Sequence, residues 1–192
     1  EYTINSDGTI TFTPDKHYVG TPASVTVKRV DKNGTEVTAT YTPTVTRVTP
    51  TSTNAESTGI QGQPQSGKPT FSPGDQAVPI DMTKPMTFGN GTDTLVVANQ
   101  GTYTINSDGS ITFQPVKQFT GKATPVTVKR VDANGTEITA TYTPTVTKVI
   151  PTSTNATSTG PQGVPQTGTP TFTGGDTLVP IDETVEPTFE DG

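Results

Sequence analysis

The stretch that decides the fold is Tyr2-Thr-Ile-Asn-Ser-Asp-Gly-Thr-Ile-Thr-Phe12. Apolar and polar residues alternate in it with a period of two, through Tyr2 and Ile4 and then through Ile10 and Phe12. A period of two is typical of a half-buried strand, and an intervening Asp-Gly pair is a strong signal for a hairpin. The stretch therefore predicts two short antiparallel strands joined by a turn at Asp7-Gly8.

A second hairpin is predicted around Asn33-Gly34. Apolar residues at positions 25, 27 and 30 lead into this pair, and those at positions 37, 39 and 41 lead away from it. Proline cannot donate a hydrogen bond to a sheet, so Pro14 and Pro43 are expected to end their strands.

The same pattern returns 101 residues further along the chain. Tyr103-Thr-Ile-Asn-Ser-Asp-Gly109 repeats the first hairpin, with its turn at Asp108-Gly109, and Asn134-Gly135 repeats the second turn. Residues 1–91 align with residues 102–192 without a gap, and 61 of these 91 positions are identical, so the two copies share one fold. A period near 100 residues is too long for a solenoid and indicates small domains in a string.

Each period is expected to be a small β-sandwich of the immunoglobulin-like type. Besides the two hairpins, the segments 78–88 and 95–98 flank a loop of hairpin length and are expected to pair across it. This spacing predicts about seven or eight short strands per period. The predicted fold class is all-β, with tandem sandwich units joined by Pro/Thr-rich linkers.

Composition narrows the function classes. Hydrophobic residues make up 28% of the 192 residues and charged residues 16%, alongside 19 Gly and 18 Pro. A coiled coil or long helical bundle is excluded because Thr, Pro and Gly are poor in helix interiors. A net charge of −6 disfavours nucleic-acid binding, and the absence of cysteine excludes disulfides and thiolate metal sites. No apolar stretch is long enough to predict a transmembrane helix.

Two segments, residues 49–59 and 150–160, have linker composition, and the boundaries of the repeat unit are expected near residues 50–57 and 151–158 within them. On this division, residues 1–50 are the C-terminal portion of a repeat unit, 57–150 are a complete unit, and 157–192 are the N-terminal portion of another. The alternative division has two units, 1–91 and 102–192, joined by residues 92–101.

Several motifs carry a family resemblance. They are Thr102-Tyr-Thr-Ile-Asn-Ser-Asp-Gly-Ser-Ile-Thr-Phe113, Val131-Asp-Ala-Asn-Gly-Thr136, Ser158-Thr-Gly-Pro-Gln-Gly-Val-Pro-Gln-Thr-Gly-Thr-Pro-Thr-Phe172 and Val179-Pro-Ile-Asp182. The chain resembles, over essentially its whole length, the CshA-type fibril repeat of Gram-positive, streptococcal-like cell-wall adhesins. The resemblance implies tandem units in a stalk at the extracellular, cell-wall-anchored surface of a Gram-positive bacterium, with the anchor outside these residues.

Two functions follow from different classes. The first is a structural stalk or spacer that projects a distal ligand-binding region, whose partners are neighbouring repeat units of the same fibril. Host matrix or salivary proteins are then expected to bind other parts of the parent protein, and neither nucleic acid nor membrane is an expected partner. The alternative is a host glycoprotein- or glycan-binding adhesive module. That function requires an exposed aromatic or acidic cluster in both copies, whereas the chain has no Trp and only five Tyr and seven Phe.

No catalytic, cofactor or metal site is predicted, and no enzyme is expected. His17 is the only histidine, and its counterpart is Gln118, so the copies share no histidine-based triad or metal site. Ser6 and Ser107 recur, but in hairpin turns with no histidine base shared by both copies. Asp31 and Asp132 resemble the start of a calcium loop, whose terminal bidentate Glu is missing at the required spacing.

The remaining candidates are structural. Eight residues are predicted to form the hairpin turns, with the glycines at positive φ: Asp7, Gly8, Asn33, Gly34, Asp108, Gly109, Asn134 and Gly135. Asp81 and Asp182 are candidates for contact with a neighbouring unit. Lys28-Arg29 and Lys129-Arg130 are expected on a solvated strand face, with a Lys–Asn/Asp isopeptide crosslink as the sharper alternative. Tyr41 and Tyr142 are expected to be core or corner aromatics.

Overall fold

The computed structural model describes residues 1–190, and this part of the chain contains strands and no helix. Accordingly, the described residues offer no helix that could cross a membrane. The all-β class predicted from the alternation of apolar residues is confirmed. The strands are β1 (Tyr2–Ile4), β2 (Ile10–Phe12), β3 (Val25–Val30), β4 (Glu36–Tyr41), β5 (Thr51–Thr53), β6 (Ala55–Ile60), β7 (Gln65–Gly67), β8 (Thr70–Ser72), β9 (Thr87–Phe88), β10 (Thr94–Val97), β11 (Gly101–Ile105), β12 (Ile111–Pro115), β13 (Gly121–Lys122), β14 (Val126–Val131), β15 (Glu137–Thr147), β16 (Thr152–Thr154) and β17 (Thr171–Thr173).

Two larger sheets and four strand pairs organise these elements. One sheet has the order β10-β11-β12-β7, and the other has the order β13-β15-β14-β9, with β6 added in parallel alongside β15. The four pairs are β1-β2, β3-β4, β5-β8 and β16-β17. The last two pairs occupy equivalent positions in the repeat, as do β1-β2 and β11-β12.

Both predicted hairpins are present. Tyr2 lies opposite Phe12 in the β1-β2 pair, and Val25 lies opposite Tyr41 in the β3-β4 pair. The predicted end of a strand at Pro43 is also observed, since β4 stops at Tyr41. In the second copy the equivalent Pro144 lies inside β15, where its carbonyl accepts a hydrogen bond from Ala123 N at 2.9 Å.

The predicted pairing of segments 78–88 and 95–98 is wrong. After Phe88 the backbone makes a tight turn, in which Phe88 N donates to Thr92 O at 2.8 Å and Gly91 N donates to Phe88 O at 2.8 Å. β9 then pairs with β14, with Phe88 opposite Val128, and β10 pairs with β11. A loop of hairpin length does not fix the partner, because each strand buries its apolar side in a different sheet.

The segment 49–59, expected to be a linker, contains strand β5 and most of β6. Ser and Thr carry little apolar surface, so the periodic pattern that marks a strand is absent from its sequence. Here the backbone pairing itself supplies the order. β6 runs parallel to β15 from Ala55 opposite Tyr142 to Ile60 opposite Thr147.

Three aromatic rings form the centre of the core. Tyr103, Phe113 and Tyr142 have no exposed side-chain surface, and the ring centroids of Tyr103 and Phe113 lie 4.5 Å apart. The Tyr142 ring stands edge-on to Tyr103 at 6.1 Å. Nine further residues of the hydrophobic core are buried around them: Met86, Phe88, Ile111, Ala123, Val126, Val128, Ile138, Ala140 and Val146.

The chain forms two compact bodies. The first body comprises Glu1–Thr51, Phe71–Lys84 and Arg130–Ile138, and the second comprises Ser52–Thr70, Pro85–Lys129 and the chain from Thr139 onward. Each body therefore contains residues from both sequence copies.

Residues of the first copy reproduce the aromatic arrangement of the second inside the first body. The centroids of Tyr2 and Phe12 lie 4.7 Å apart, and Tyr41 stands edge-on to Tyr2 at 6.3 Å. These three rings are only partly buried, unlike their counterparts in the core. The same local strands thus form in both copies, but their aromatic side chains are more exposed in the first copy than in the second.

Candidate functional site

An aspartate before each Asn-Gly pair organises the tip of the longer hairpins. Asp31 Oδ1 accepts hydrogen bonds from Asn33 N and Thr35 N, both at 2.8 Å. Asp132 Oδ1 accepts the equivalent bonds from Asn134 N at 2.9 Å and Thr136 N at 2.8 Å. The turn is therefore a three-residue loop closed by a side chain, and the sequence signal for it is Asp with Asn two positions and Thr four positions later.

The glycine of each predicted turn lies in the left-handed region. Its φ is 86° at Gly8, 85° at Gly34, 82° at Gly109 and 86° at Gly135. A side chain in this conformation strains the backbone, and that explains why both copies have glycine here.

The shorter hairpin turns are capped by a different aspartate. Asp7 Oδ1 accepts from Thr9 N at 2.9 Å and Thr9 Oγ1 at 2.7 Å, and Asp108 Oδ1 accepts from Ser110 N at 2.9 Å and Ser110 Oγ at 2.6 Å. Because these bonds favour the charged carboxylate, they lower the pKa of both groups. The larger contribution is the bond from the backbone N–H of Thr9 for Asp7 and the bond from the hydroxyl of Ser110 for Asp108.

Asp132 differs from Asp31 in its surroundings. Asp132 is only 1% exposed, and its Oδ2 has no hydrogen-bond partner within the described residues, whereas Asp31 is exposed. The segment 79–81 covers Asp132 within the first body: Ile80 bridges to Asp132, Ala133 N donates to Pro79 O at 2.8 Å, and Asp81 N donates to Val131 O at 2.9 Å. The sequence gives no sign of this difference, since the two hairpins are nearly identical.

The residues considered as candidates for catalysis or metal binding do not form a shared site. Ser6 and Ser107 are exposed in hairpin turns, and His17 is exposed in a loop. Asp31 and Asp132 are engaged by backbone N–H groups, and residues 1–190 contain no group of three acidic or histidine side chains that could hold a metal ion.

The basic pairs lie on strands, as expected. Lys28 Nζ lies 2.6 Å from Glu36 Oε1 across the β3-β4 pair, with both side chains more than half exposed. Arg130 Nη1 donates to Lys84 O at 3.4 Å in the first body. Tyr142 is a core aromatic, and its hydroxyl hydrogen-bonds with Ser57 Oγ at 2.6 Å.

Asp81 and Asp182 cap turns of their own. Each Oδ1 accepts from the backbone N at 3.0 Å and the hydroxyl at 2.6 Å of the threonine two residues later, Thr83 or Thr184. These bonds lower the pKa of both carboxyls, and the hydroxyl bond makes the larger contribution. Contact with a neighbouring unit stays a prediction for these two residues.

A glycine in each copy marks a close approach of two backbones. A Cβ on Gly74 would lie about 2.5 Å from the backbone of Thr49, and a Cβ on Gly175 would overlap the backbone of Ile150. The four residues are related in pairs by the 101-residue period. Sequence reasoning missed these glycines, although their recurrence before Asp75 and Asp176 was a usable signal.

A groove opens beside each close approach. In the first body, a groove of about 460 Å³ is lined by Lys16, Val48 and Val78, with Asn134 and Thr136 from a hairpin tip. Lys16 Nζ also donates to Ala133 O of that hairpin at 3.3 Å.

The groove in the second body is equivalent but wider. It has about 710 Å³ and is lined by Lys117, Val149 and Val179, the counterparts of the residues above. Gln63 Nε2 donates to Leu178 O at 3.2 Å on its border. No hairpin tip lines this groove among the residues that the structure describes.

Comparison with known proteins gives the family. The family model described as the surface adhesin CshA repetitive domain matches residues 1–45, 47–146 and 148–192. A solved structure, repeat domain 13 of the fibrillar adhesin CshA from Streptococcus gordonii, is 58% identical over 36% of this chain and 90% of that chain, with a TM-score of 0.22. No curated protein matches the chain.

Three consecutive matches that together span nearly the whole sequence agree with the internal repeat and with the motifs at the hairpin turns. The chain is a tandem-repeat segment of a surface adhesin, and it belongs to the CshA repetitive-domain family.

Proposed function

We propose that the chain supplies spacer units to the stalk of a cell-wall-anchored bacterial surface fibril and so projects a distal ligand-binding region. The repeat unit of this proposal is residues 57–150, with partial units at 1–50 and 157–192. Two findings support this division: within the described residues the hydrophobic core runs from Met86 to Val146, and the central family match covers residues 47–146.

The observation that carries the spacer role is the recurrence of one junction in both copies. Gly74 packs against Thr49 in the first body, and Gly175 packs against Ile150 in the second. On the proposed division, each contact joins the end of one unit to the start of the next. Without a Cβ at these positions the backbones approach closely, and such close packing restricts hinge motion.

Pairing between backbone strands further restricts hinge motion between units. In the second body, β16 and β17 pair with Thr152 opposite Thr173 and Thr154 opposite Thr171. The connection between units is therefore a paired strand with few free torsions. Units joined in this way extend the reach of a fibril in proportion to their number, which is the physical task of a spacer.

Distance measurements between spin labels test the junction in the full chain. The chain has no cysteine, so Thr139→Cys and Thr177→Cys, both at exposed positions, give a single labelled pair across the second junction. We expect a narrow distance distribution. Gly175→Val should broaden it, because a side chain there overlaps Ile150.

Thr173→Val is the matched control, since it adds the same side chain at an exposed position of β17. A broad distribution in the parent chain, or equal broadening by both substitutions, contradicts a packed junction and with it the stiff spacer.

A further inference from the structure

We propose that this chain forms a two-fold dimer in which strand β10 of one copy pairs antiparallel with β10 of a second copy. β10 (Thr94–Val97) lies inside the central unit, and it belongs to the segment 92–101, which occurs once in the chain. Each chain therefore has one such interface. The pairing is independent of the spacer role.

One edge of β10 is free to accept another strand. β10 is the end strand of the sheet β10-β11-β12-β7. On its paired side, Ile105 N donates to Asp93 O at 2.8 Å, and hydrogen bonding in an antiparallel pair alternates from one residue to the next. The bonds to β11 therefore come from every second residue, and Thr94 and Val96 direct their N–H and C=O groups away from β11. Within residues 1–190, no strand pairs with this outer edge.

Other strands at the sheet ends have the features that prevent edge-to-edge pairing, which are short length, charged side chains and proline. β9 and β13 have two residues each, and β13 ends in Lys122. β7 has three residues and is followed by Lys68-Pro69, and β6 contains Glu56. β10 is longer than β7, β9 and β13, and its four residues include no charged side chain and no proline.

The side chains of β10 suit a second copy of the same strand. Val96 is 71% exposed although it lies within a regular strand, and Leu95 and Val97 on the opposite face are half-buried. An identical strand places valine beside valine and brings no like charges together. A charged peptide would gain no ion pair from β10 itself. The uncharged edge therefore favours a second copy as its occupant.

A two-fold axis at Val96 satisfies the free backbone groups. Val96 would lie opposite its own copy, and Thr94 would lie opposite Ala98. The two Val96 residues would then exchange two hydrogen bonds, and Thr94 and Ala98 would exchange two more at each end. Thr92 Oγ1 already donates to Thr94 O at 2.7 Å, but a carbonyl oxygen accepts two bonds. This register also covers the most exposed apolar side chain of the strand.

The symmetry of the contact limits the assembly to two chains. The same strand contributes both sides of the interface, so the interface closes once two copies have paired. Pairing joins two four-stranded sheets into one continuous sheet. An interface built on one short strand is small, so we expect weak association that is observed at high concentration.

Sedimentation and light scattering of the full chain over about 1 μM to 1 mM test the proposal. We expect the average mass to rise with concentration from 20.0 kDa toward twice that value and no further. A constant mass of 20.0 kDa at every concentration, or a mass that rises beyond that of a dimer, overturns the two-fold pairing.

Amide hydrogen exchange in the same samples tests the register. The outward N–H groups of Thr94, Val96 and Ala98 should exchange severalfold more slowly at high concentration, because they gain acceptors. The N–H groups of Leu95 and Val97 already bond to β11 and should not change. A dimer that forms without slower exchange at Val96, or with equal slowing at all five residues, overturns the assigned pairing.

Val96→Lys tests the interface by placing two like charges at its centre. Since Val96 is exposed, thermal unfolding of the dilute chain should stay unchanged, while association should weaken at least tenfold. Val185→Lys is the matched control, because Val185 is 69% exposed and its counterpart in the first copy is Lys84. Association that persists in Val96→Lys, or equal loss in both variants, overturns the proposal.

A synthetic peptide with the sequence of residues 92–100 separates a second copy from other occupants. The peptide should slow exchange of the Val96 N–H in the dilute chain and should dissociate the dimer. A peptide of the same composition in scrambled order should do neither. Equal effects of the two peptides overturn recognition of β10 by its own sequence and indicate an edge that accepts any extended chain.

Discussion

At each hairpin tip, one carboxylate oxygen accepts the backbone hydrogen bonds that close the turn predicted from the Asn-Gly or Asp-Gly pair. Oδ1 of Asp31 and of Asp132 gathers two backbone N–H groups, and the following glycine turns the chain at positive φ. The Asp-Gly and Asn-Gly pairs indicated the positions of these four hairpin tips, whereas the aspartate two residues before Asn-Gly resembled the start of a metal loop.

Gly135→Val is expected to destabilise the central unit by about 1–3 kcal/mol, because a β-branched residue is strained at a φ of 86°. Thermal or urea unfolding of the full chain measures the loss. Gly89→Ala is the control, since Gly89 has open space around its Cα and no positive φ. Unchanged unfolding of Gly135→Val contradicts the turn assignment.

The capping aspartates predict a dependence of stability on acid. The pKa of Asp108 in the folded chain is lowered by Ser110, first through its hydroxyl and then through its backbone N–H. Its stabilising effect is therefore complete above the unfolded pKa of about 3.9 and is lost as the pH falls toward the folded value.

Asp108→Asn keeps an acceptor oxygen but removes the charge. We expect the parent chain to unfold at a higher temperature than this variant at pH 7, and the difference to shrink near pH 2.5. Melting curves of both proteins at the two pH values measure this difference in melting temperature. A difference that grows in acid contradicts the stabilising role of the Asp108 carboxylate.

At the scale of elements, strands with apolar alternation were predictable and strands held by backbone pairing were not. β1 to β4 follow from their periodicity, whereas β6 has almost no apolar residues and its sequence has the composition of a linker. Its place becomes clear only from its long-range partner β15, with Ala55 opposite Tyr142. The junction glycines were missed for the same reason, since close approach depends on residues distant in sequence.

The two copies allow one substitution to be compared in two settings. Gly67→Val should destabilise the central unit by about 1–3 kcal/mol, because the new side chain overlaps the Tyr142 ring in a packed core. Gly168→Val should have no such effect on thermal unfolding of the dilute chain. Equal losses from the two substitutions contradict the packing of β7 against the core.

At the scale of the whole molecule, repetition is the functional property. The chain belongs to the surface adhesin CshA repetitive-domain family. The close approach that recurs at Gly74 and Gly175 supports the proposal that its units form a stalk. The family resemblance and the all-β class were both accessible from the sequence. The close approaches of Gly74 to Thr49 and of Gly175 to Ile150 were not, because no periodic pattern reveals contacts between residues distant in sequence.

We propose that consecutive units are joined by a packed junction and not by a flexible linker. Small-angle X-ray scattering of tandem arrays with two, three and four copies of the 101-residue period tests it most directly. A packed junction predicts that the maximum dimension increases linearly with the number of copies, with the same increment at each step. An increase that follows the square root of the copy number, as flexibly linked domains give, would contradict it.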